Sequence, residues 1–304
     1  MITLNTEKGL VRIESWDDIA SRPGFLATVD PKTAKLKEII GSYSFDVFIP
    51  CGLSTCHQPH GTGFLVVTET GHETNIGRIC GKRHFSVEFS QMSRQFLGLV
   101  RAQQNRELLK QIKHRLAAIS AEVATLRTEP LGAAWMYPRI GRLTGALTGL
   151  PQPIVNAVRE AIRRDGSLVR ERAASQEERE RQAVATQIIG LERRERITSF
   201  VSERVGQLEG IAALAPSNTL RDALGAIEPF LSTLEQVDVD SLAGKELRDL
   251  ARLGGALDAN LDLLRSLIAA GRRLLTRSNL QQLAQFARLR SDSQAFERFL
   301  RELP

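Results

Sequence analysis

Residues 51–84 read CGLSTCHQPHGTGFLVVTETGHETNIGRICGKRH. This stretch holds all three cysteines and four of the five histidines of the chain: Cys51, Cys56, Cys80, His57, His60, His72 and His84. The rest of the sequence has no cysteine and a single histidine, His114. An odd number of clustered cysteines in a chain without an export signal argues against a disulfide framework and favours metal binding. We therefore expect this segment to fold around a metal ion.

The order of elements in this segment supports the same interpretation. CGLSTC (51–56) is a Cys-x4-Cys loop, and FLVVT (64–68) and TNIGRI (74–79) are strand-like runs separated by the turn signal ETGHE (69–73). CGKRH (80–84) then supplies a Cys-x3-His pair. A helix is expected to begin near Ser86, whose side chain suits the N-cap position.

The segment contains, in order, a loop with two ligands, a hairpin, a second ligand pair and a helix. This order resembles the treble-clef type of zinc finger over about residues 51–98. The expected cofactor is Zn²⁺, and the expected ligands are Cys51, Cys56, Cys80 and His84. His57 or His60 is the alternative ligand in place of Cys56 or His84. A closed Cys₃His site has no open position, so the zinc is expected to be structural and no catalytic residue is assigned. The other interpretation is a set of free buried thiols with surface histidines.

Composition limits what the rest of the chain can be. The 304 residues suffice for two or three domains, and 42% apolar with 25% charged residues is typical of a folded soluble protein. Aromatic residues make up 5%, so the cores must be built mainly from aliphatic side chains, which suits packed helices. No run approaches the roughly 18 apolar residues of a membrane span, and the N-terminal sequence lacks a secretion signal. We expect a cytoplasmic protein without a membrane partner.

The sequence predicts an α+β protein that is mostly helical after its first part. Residues 1–98 are expected to form the zinc-binding α+β domain, 99–215 a helical coiled-coil hairpin with a small basic insert at 131–172, and 216–304 a helical bundle. A heptad stripe indicates the coiled coil: Leu109, Ile112, Leu116, Ile119, Val123 and Leu126. A second helical run from Ala173 to about Leu214 is expected to pair with the first in an antiparallel hairpin. The alternative is a parallel dimer.

Two finer predictions concern helix positions. VDPKTAKLKEII (29–40) reads as a helix that is capped by Asp30, with Pro31 at its first helical position. In the C-terminal part, leucines at helical spacing predict helices over 218–236, 241–254, 256–275 and 278–302.

The positive charge of the chain is concentrated in its middle third. Residues 99–200 carry eighteen basic and eleven acidic residues, and most of the basic ones are Arg, whose planar guanidinium suits phosphate. A short helical run (139–147), a break, the helix IVNAVREAIRRD (154–165) and the strand-like SLVRER (167–172) follow in the order of a winged helix-turn-helix domain. This order predicts nucleic-acid contacts from Arg159, Arg163, Arg164 and Arg170. The alternative is a solvated surface of Arg–Glu pairs.

Three functions are consistent with these features. We favour a zinc-stabilised nucleic-acid-associated binding protein with its contact surface in the Arg-rich middle. The second is a protein-interaction scaffold of phage or mobile-element origin, which would assemble through its heptad helices with a protein partner or with itself. The third is a treble-clef nuclease, with His72, Asn75 and His84 as candidate residues. No phosphate-binding loop, carboxylate pair or nucleophile motif is present, so an enzyme is the least favoured of the three.

Overall fold

The computed structural model describes residues 2–6, 9–181, 200–215 and 219–304. The chain divides into two compact units: unit 1 comprises Met1–Ile112 with Val237–Arg252, and unit 2 comprises Lys113–Gln236 with Leu253–Pro304. Both units contain helices and strands, so the expectation of a mixed helix-and-strand protein is confirmed. The division into 1–98, 99–215 and 216–304 concerns which segments fold on their own, and it stays a prediction.

Unit 1 is built on a five-stranded antiparallel sheet with the spatial order β2-β1-β3-β4-β5. The strands are β1 (Ile2–Thr6), β2 (Gly9–Ile13), β3 (Leu36–Pro50), β4 (Pro59–Thr68) and β5 (Glu73–Gly77). The short helix α1 (Asp17–Ala20) follows β2. Register shifts along β3 mark β-bulges, which bend the long strand as it pairs with β4.

The sheet of unit 1 has a hydrophobic cluster on each face. Successive residues of a strand point to opposite faces, so Phe64 of β4 joins one cluster and Leu65 joins the other. The Phe64 cluster contains Cys51, Cys80 and Phe89. The cysteines therefore belong to the core on the Phe64 face of the sheet.

The prediction of a helix over residues 29–40 is wrong. The chain forms a turn up to residue 35, and β3 begins at Leu36. The Asp30 carboxylate accepts a hydrogen bond from the N–H of Lys32 at 2.9 Å, and the N–H of Ala34 donates to the Asp30 carbonyl at 3.0 Å. The apolar residues that follow find pairing partners in β4. Tertiary pairing here outweighs a weak local helix preference.

The long helix α2 spans Arg78–His114 and consists of two helical parts, of which the second begins directly after Ser86, where the sequence predicts a helix start. Ser86 is the residue between the two parts. Its φ of 46° and ψ of −122° are non-helical and interrupt α2 at this residue, and a positive φ is uncommon outside glycine. Residues 237–252 join this unit through an ion pair of Lys110 with Asp240 (2.6 Å) and a hydrogen bond from the Arg106 guanidinium to the Leu242 carbonyl (2.9 Å).

From Leu116 onward the described chain is mainly helical and contains one strand pair. Its helices are α3 (Leu116–Thr128), α4 (Ala133–Thr144), α5 (Gln152–Arg163), α6 (Leu220–Gln236), α7 (Gly244–Gly255), α8 (Leu257–Leu274), α9 (Arg277–Leu280) and α10 (Arg290–Leu300). Residues 176–181 are also helical. The strands are β6 (Ser167–Ala173) and β7 (Phe200–Gln207), and 3₁₀ turns lie at Ile211–Leu214 and Gln281–Phe286. The predicted helices over 218–236, 241–254 and 256–275 are present, whereas the one over 278–302 is divided.

The described residues do not form the predicted coiled-coil hairpin. Its heptad stripe is split between α2 and α3, which are separated at Arg115. Residues Phe200–Gln207, placed in the second helical run, form β7 and pair antiparallel with β6. Val201 and Val205 are β-branched and favour a strand once β6 supplies a partner. The part of that run at 182–199 lies outside the described residues.

Candidate metal centre and basic face

Three elements of unit 1 bring the cysteines together. Cys51 directly follows β3, Cys56 lies in the turn before β4, and Cys80 lies in the first turn of α2. Their three Sγ atoms all lie within 4.8 Å of one another, and those of Cys56 and Cys80 are 3.0 Å apart. Cys51 and Cys80 are buried, and Cys56 is half-buried. Three sulfur ligands at this spacing are able to hold a metal ion.

The loop that carries the first two cysteines is held by hydrogen bonds to neighbouring segments. The N–H of Gly52 donates to the Asn75 carbonyl at 2.8 Å, and the Gly52 carbonyl accepts from the N–H of Val29 at 2.8 Å. A side chain at Gly52 would collide with β5, so glycine permits this close approach of two backbones. The buried Asn75 amide donates to the carbonyl of Pro50 at 2.8 Å. The fold itself therefore positions the first cysteine.

The sulfur atoms differ in their affinity for protons. Burial, with the hydrogen bond to Cys56 and the neighbouring sulfurs, raises the pKa of Cys80 to about 12. Burial also acts to raise the pKa of Cys56, but hydrogen bonds from Cys80 and from the N–H of Gln58 (3.5 Å from Sγ) leave that pKa below its ordinary value. Without a cation, at least one of the sulfurs keeps its proton at neutral pH. A metal ion would have to displace it.

His84 lies beside the cysteine cluster but is not part of it. It stands four residues after Cys80 on α2, hence on the same side of the helix. Its Nε2 lies 3.5 Å from the Thr55 hydroxyl, next to Cys56 in sequence. Among the described residues, no histidine nitrogen, and no carboxylate oxygen, joins the group of atoms within 4.8 Å of one another. The structure thus brings together three of the four predicted ligands.

The remaining histidines of the segment have other surroundings. His57 is exposed and has a positive φ of 49°, and His72 is exposed in the turn between β4 and β5. His60 Nδ1 lies 3.1 Å from the hydroxyl of Tyr43, which belongs to the Leu65 cluster. Burial lowers the pKa of His60, and its Nε2 has no hydrogen-bond partner among the described residues. His57 and His60, the alternative ligands, are therefore not grouped with the sulfurs.

The four arginines predicted to bind nucleic acid lie on α5, at its C-cap and on β6, and we call their surface the basic face: Arg159, Arg163, Arg164 and Arg170. All four are exposed. α5 buries its apolar side: Ile154, Val155, Val158 and Ala161. The helix is thus amphipathic, and its arginines are directed away from the buried side.

Glu160 lies within the basic face. Its carboxylate accepts hydrogen bonds from Arg163 at 2.8 Å and from Arg164 at 2.6 Å. The hydrogen bond from Arg164, followed by the other charge interactions, lowers the pKa of Glu160 from its ordinary value. Arg159 instead donates through Nε and Nη2 to the Thr144 carbonyl, at 3.3 and 3.1 Å. Glu203 lies directly opposite Arg170 in the strand pair, and four arginines against Glu160 and Glu203 leave the face with a net positive charge.

The strand pair behind α5 is fixed by a residue that the sequence analysis did not single out. Arg172 of β6 makes two hydrogen bonds to Glu178, at 2.8 and 2.7 Å, and an ion pair to Glu203 of β7 at 3.2 Å. The Glu178 N–H donates to the Ser175 hydroxyl, and the Ser175 N–H donates to the Glu178 carboxylate, which together form a capping box. The Ser-x-x-Glu spacing at 175–178 is the sequence signal that would have revealed this helix start.

None of the helices among the described residues combines the length and the apolar composition that crossing a bilayer requires. Comparison with protein-family models, with curated proteins and with solved structures finds no match to this chain. Among the described residues, the features that we relate to function are the cysteine cluster of unit 1 and the basic face of unit 2.

Proposed function

We propose that the protein is a zinc-stabilised nucleic-acid-binding protein whose contact surface is the basic face. The proposal is supported by three helices, α3, α4 and α5, that are followed by the strand pair of β6 and β7, with arginines on the exposed side of α5 and the helical residues 176–181 between the two strands. Winged helix-turn-helix domains also have three helices and a strand pair, and their second motif helix enters the major groove of DNA. The connection between α4 and α5, residues 145–151, is longer than the usual three- to four-residue turn. The likeness is one of element order.

The exposed side chains of α5 suit duplex DNA. Gln152 and Asn156 are exposed near its N-terminal end, and the Gln152 amide donates to the Asn156 side chain at 2.8 Å. In recognition helices the N-terminal residues contact base edges, and Asn and Gln pair with adenine. The arginines at the other end supply phosphate contacts that are independent of sequence. Because the amides and the arginines lie at different ends of α5, we favour binding in a groove of duplex DNA over binding by positive charge alone.

Zinc is the metal that we propose for the cysteine cluster. Cys51, Cys56 and Cys80 supply three thiolates, which favour Zn²⁺ over hard cations that prefer oxygen ligands. His84 completes a Cys₃His site once its ring turns from Thr55 towards the sulfurs. The group contains no carboxylate to act as a base, so the metal has a structural role. The treble-clef architecture is part of this proposal.

The nucleic-acid proposal is tested by the salt dependence of binding to a labelled 25-base-pair duplex of mixed sequence. The first variant combines Arg163→Gln, Arg164→Gln and Arg170→Gln. The matched control has the same charge change at three exposed arginines elsewhere in unit 2: Arg288→Gln, Arg290→Gln and Arg298→Gln. The slope of log K against log salt is negative, and each lost phosphate contact reduces its magnitude by about 0.9. For the first variant the magnitude should therefore fall by about 2 to 3. The control should lose less than about 1.

The outcomes separate nucleic-acid binding from the scaffold interpretation. Equal losses in both variants would show that the duplex does not contact the basic face. Binding to single-stranded RNA in preference to the duplex would move the proposal from DNA to RNA. If neither nucleic acid binds and the protein associates with itself as its concentration rises, the scaffold interpretation replaces this one.

A further inference from the structure

Unit 2 contains a cavity beside the basic face, and the proposed nucleic-acid contacts do not require its interior. Its volume is about 750 Å³, and it lies between α4, α5, the 3₁₀ turn Ile211–Leu214 and the start of α6. Its walls include the aliphatic side chains of Ile140, Leu147, Ile162 and Leu214. This volume falls within the range of small-molecule sites, which are mostly apolar and carry a few polar groups that orient the ligand.

Three arginines line the same cavity: Arg159, Arg163 and Arg221. The charge of Arg163 is partly offset by its ion pair with Glu160. The charges of Arg159 and Arg221 have no ion-pair partner among the described residues. Asp222 interacts electrostatically with Arg221, so the cavity combines aliphatic walls with a net positive charge, and a neutral apolar molecule would leave the charge of Arg159 unmatched.

The guanidinium of Arg159 is held in a fixed position at the cavity wall. Nε and Nη2 both donate to the Thr144 carbonyl, whereas Nη1 makes no hydrogen bond to the described residues. Gly145, with a φ of 77°, makes this possible, because a Cβ there would lie only 2.8 Å from Nη2. A guanidinium ordered before a ligand arrives loses little further freedom on binding one.

We propose that this cavity binds a small amphipathic anion, namely a carboxylate that carries an aliphatic chain or ring. The carboxylate would accept hydrogen bonds from Arg159, and the apolar part would lie against Ile140, Leu147 and Ile162. Charge-assisted hydrogen bonds from Arg to a carboxylate are among the strongest available to a side chain. Arg159 and Arg163 also belong to the basic face, but the test below uses no nucleic acid, so its failure would leave the nucleic-acid proposal standing.

Decanoate and decanol are the probes, titrated separately into the full-length protein by calorimetry below the micellar concentration of decanoate. Decanoate should bind with one molecule per chain. Decanol has the same chain without the charge, and it should bind at least about tenfold more weakly, as expected for the loss of charged hydrogen bonds.

Two variants locate the site. Arg159→Met keeps the aliphatic stem and removes the charge, so it should weaken decanoate binding at least about tenfold. Arg164→Met makes the same charge change on the same helix, but Arg164 does not line the cavity, so binding should stay within about twofold. Leu147→Trp, at a side chain that is 43% exposed and can enlarge without disrupting the core, should block the cavity while the melting curve stays unchanged.

Several results would overturn the proposal. These are equal binding of decanol and decanoate, equal losses in Arg159→Met and Arg164→Met, or no heat of binding up to millimolar decanoate. Uptake of many molecules per chain, alike in all variants, would indicate adsorption of a surfactant and would also overturn it.

Discussion

The Sγ atoms of Cys56 and Cys80 lie 3.0 Å apart although 24 residues separate them in the sequence. The contact joins the loop before β4 to the first turn of α2, and Cys51 at the end of β3 completes the cluster. A metal ion held by these three sulfurs would link three segments that are distant in the chain. Such a link stabilises the folded state because the unfolded chain lacks a preformed site.

Replacing one sulfur tests this link directly. Wild-type protein should contain about one zinc ion per chain by elemental analysis. Cys80→Ser should lose metal affinity by more than the roughly 10- to 100-fold that loss of a supporting contact outside the ligand shell costs. Its melting temperature should no longer respond to a chelator, whereas that of the wild type should fall when the chelator is added.

His72→Asn is the matched control, because His72 is a histidine of the same segment that lies exposed in the turn between β4 and β5. It should keep the wild-type zinc content. Zinc added to the metal-free protein should also release protons, because burial raises the pKa of Cys80 to about 12 and its thiol must ionise to bind the metal. A metal-free wild-type protein with an unchanged melting temperature would contradict the metal assignment.

The sequence alone predicts the cysteine cluster because sulfur ligands are rare and their spacing is visible in the chain. It also predicts the helix over 154–165, which the structure contains as α5. The position of His84 was not predictable in the same way. A Cys-x3-His spacing places both residues on one side of a helix, but the direction of the ring depends on its rotamer and on partners such as Thr55.

The misplaced elements were those whose structure depends on distant partners. FVSERVGQ (200–207) continues a helical run by its local pattern, yet it becomes β7 because SLVRERA (167–173) pairs with it. The helix predicted at 29–40 gives way in the same manner to the pairing of β3 with β4. Strand preference depends on cross-strand neighbours more than on the residue itself. A prediction from the local sequence of one segment does not take those neighbours into account.

Glu178 gives the strand pair a stability that depends on pH. The hydrogen bonds from Arg172, followed by those from Ser175, lower the pKa of Glu178 to about 2 from an ordinary value of 4.5. A carboxyl group whose pKa is lower in the folded state than in the unfolded state stabilises the fold at pH values above its unfolded-state pKa. This contribution is lost as the pH falls through its folded-state pKa. Glu178→Gln should therefore melt below wild type at pH 7, and the difference should shrink from about pH 4.5 towards pH 2.

Glu177→Gln is the control for this measurement. Glu177 is adjacent to Glu178 in sequence and highly exposed. Its carboxylate lies 3.9 Å from the Arg181 guanidinium, which makes a weak surface ion pair. Because acid affects the metal site of both variants equally, the difference between their melting temperatures isolates Glu178. A difference that stays constant from pH 7 to pH 2.5 would show that the hydrogen bonds of Arg172 do not depend on the charge of Glu178.

The register of β6 with β7 can be tested by a cross-link. Arg170 and Glu203 are directly opposite in the strand pair, and opposite residues of antiparallel strands have Cα atoms about 4.5–5.5 Å apart. This separation lies within the range that a disulfide spans. The double variant Arg170→Cys, Glu203→Cys should therefore form a disulfide under mild oxidation in most chains. Peptide mapping by mass spectrometry distinguishes it from disulfides of the three native cysteines.

The control is the pair Arg170→Cys, Ser202→Cys. Ser202 is opposite Glu171, and neighbouring residues of a strand point to opposite faces, so a cysteine at 202 is directed away from one at 170. It should cross-link much more slowly. If the two pairs react at the same rate, the register is not fixed, and if only the control pair reacts, β7 is shifted by one residue. Since a shift of one residue moves every side chain of a strand to the other face, that outcome would also reverse which face of the ribbon carries Arg204 and Ser202.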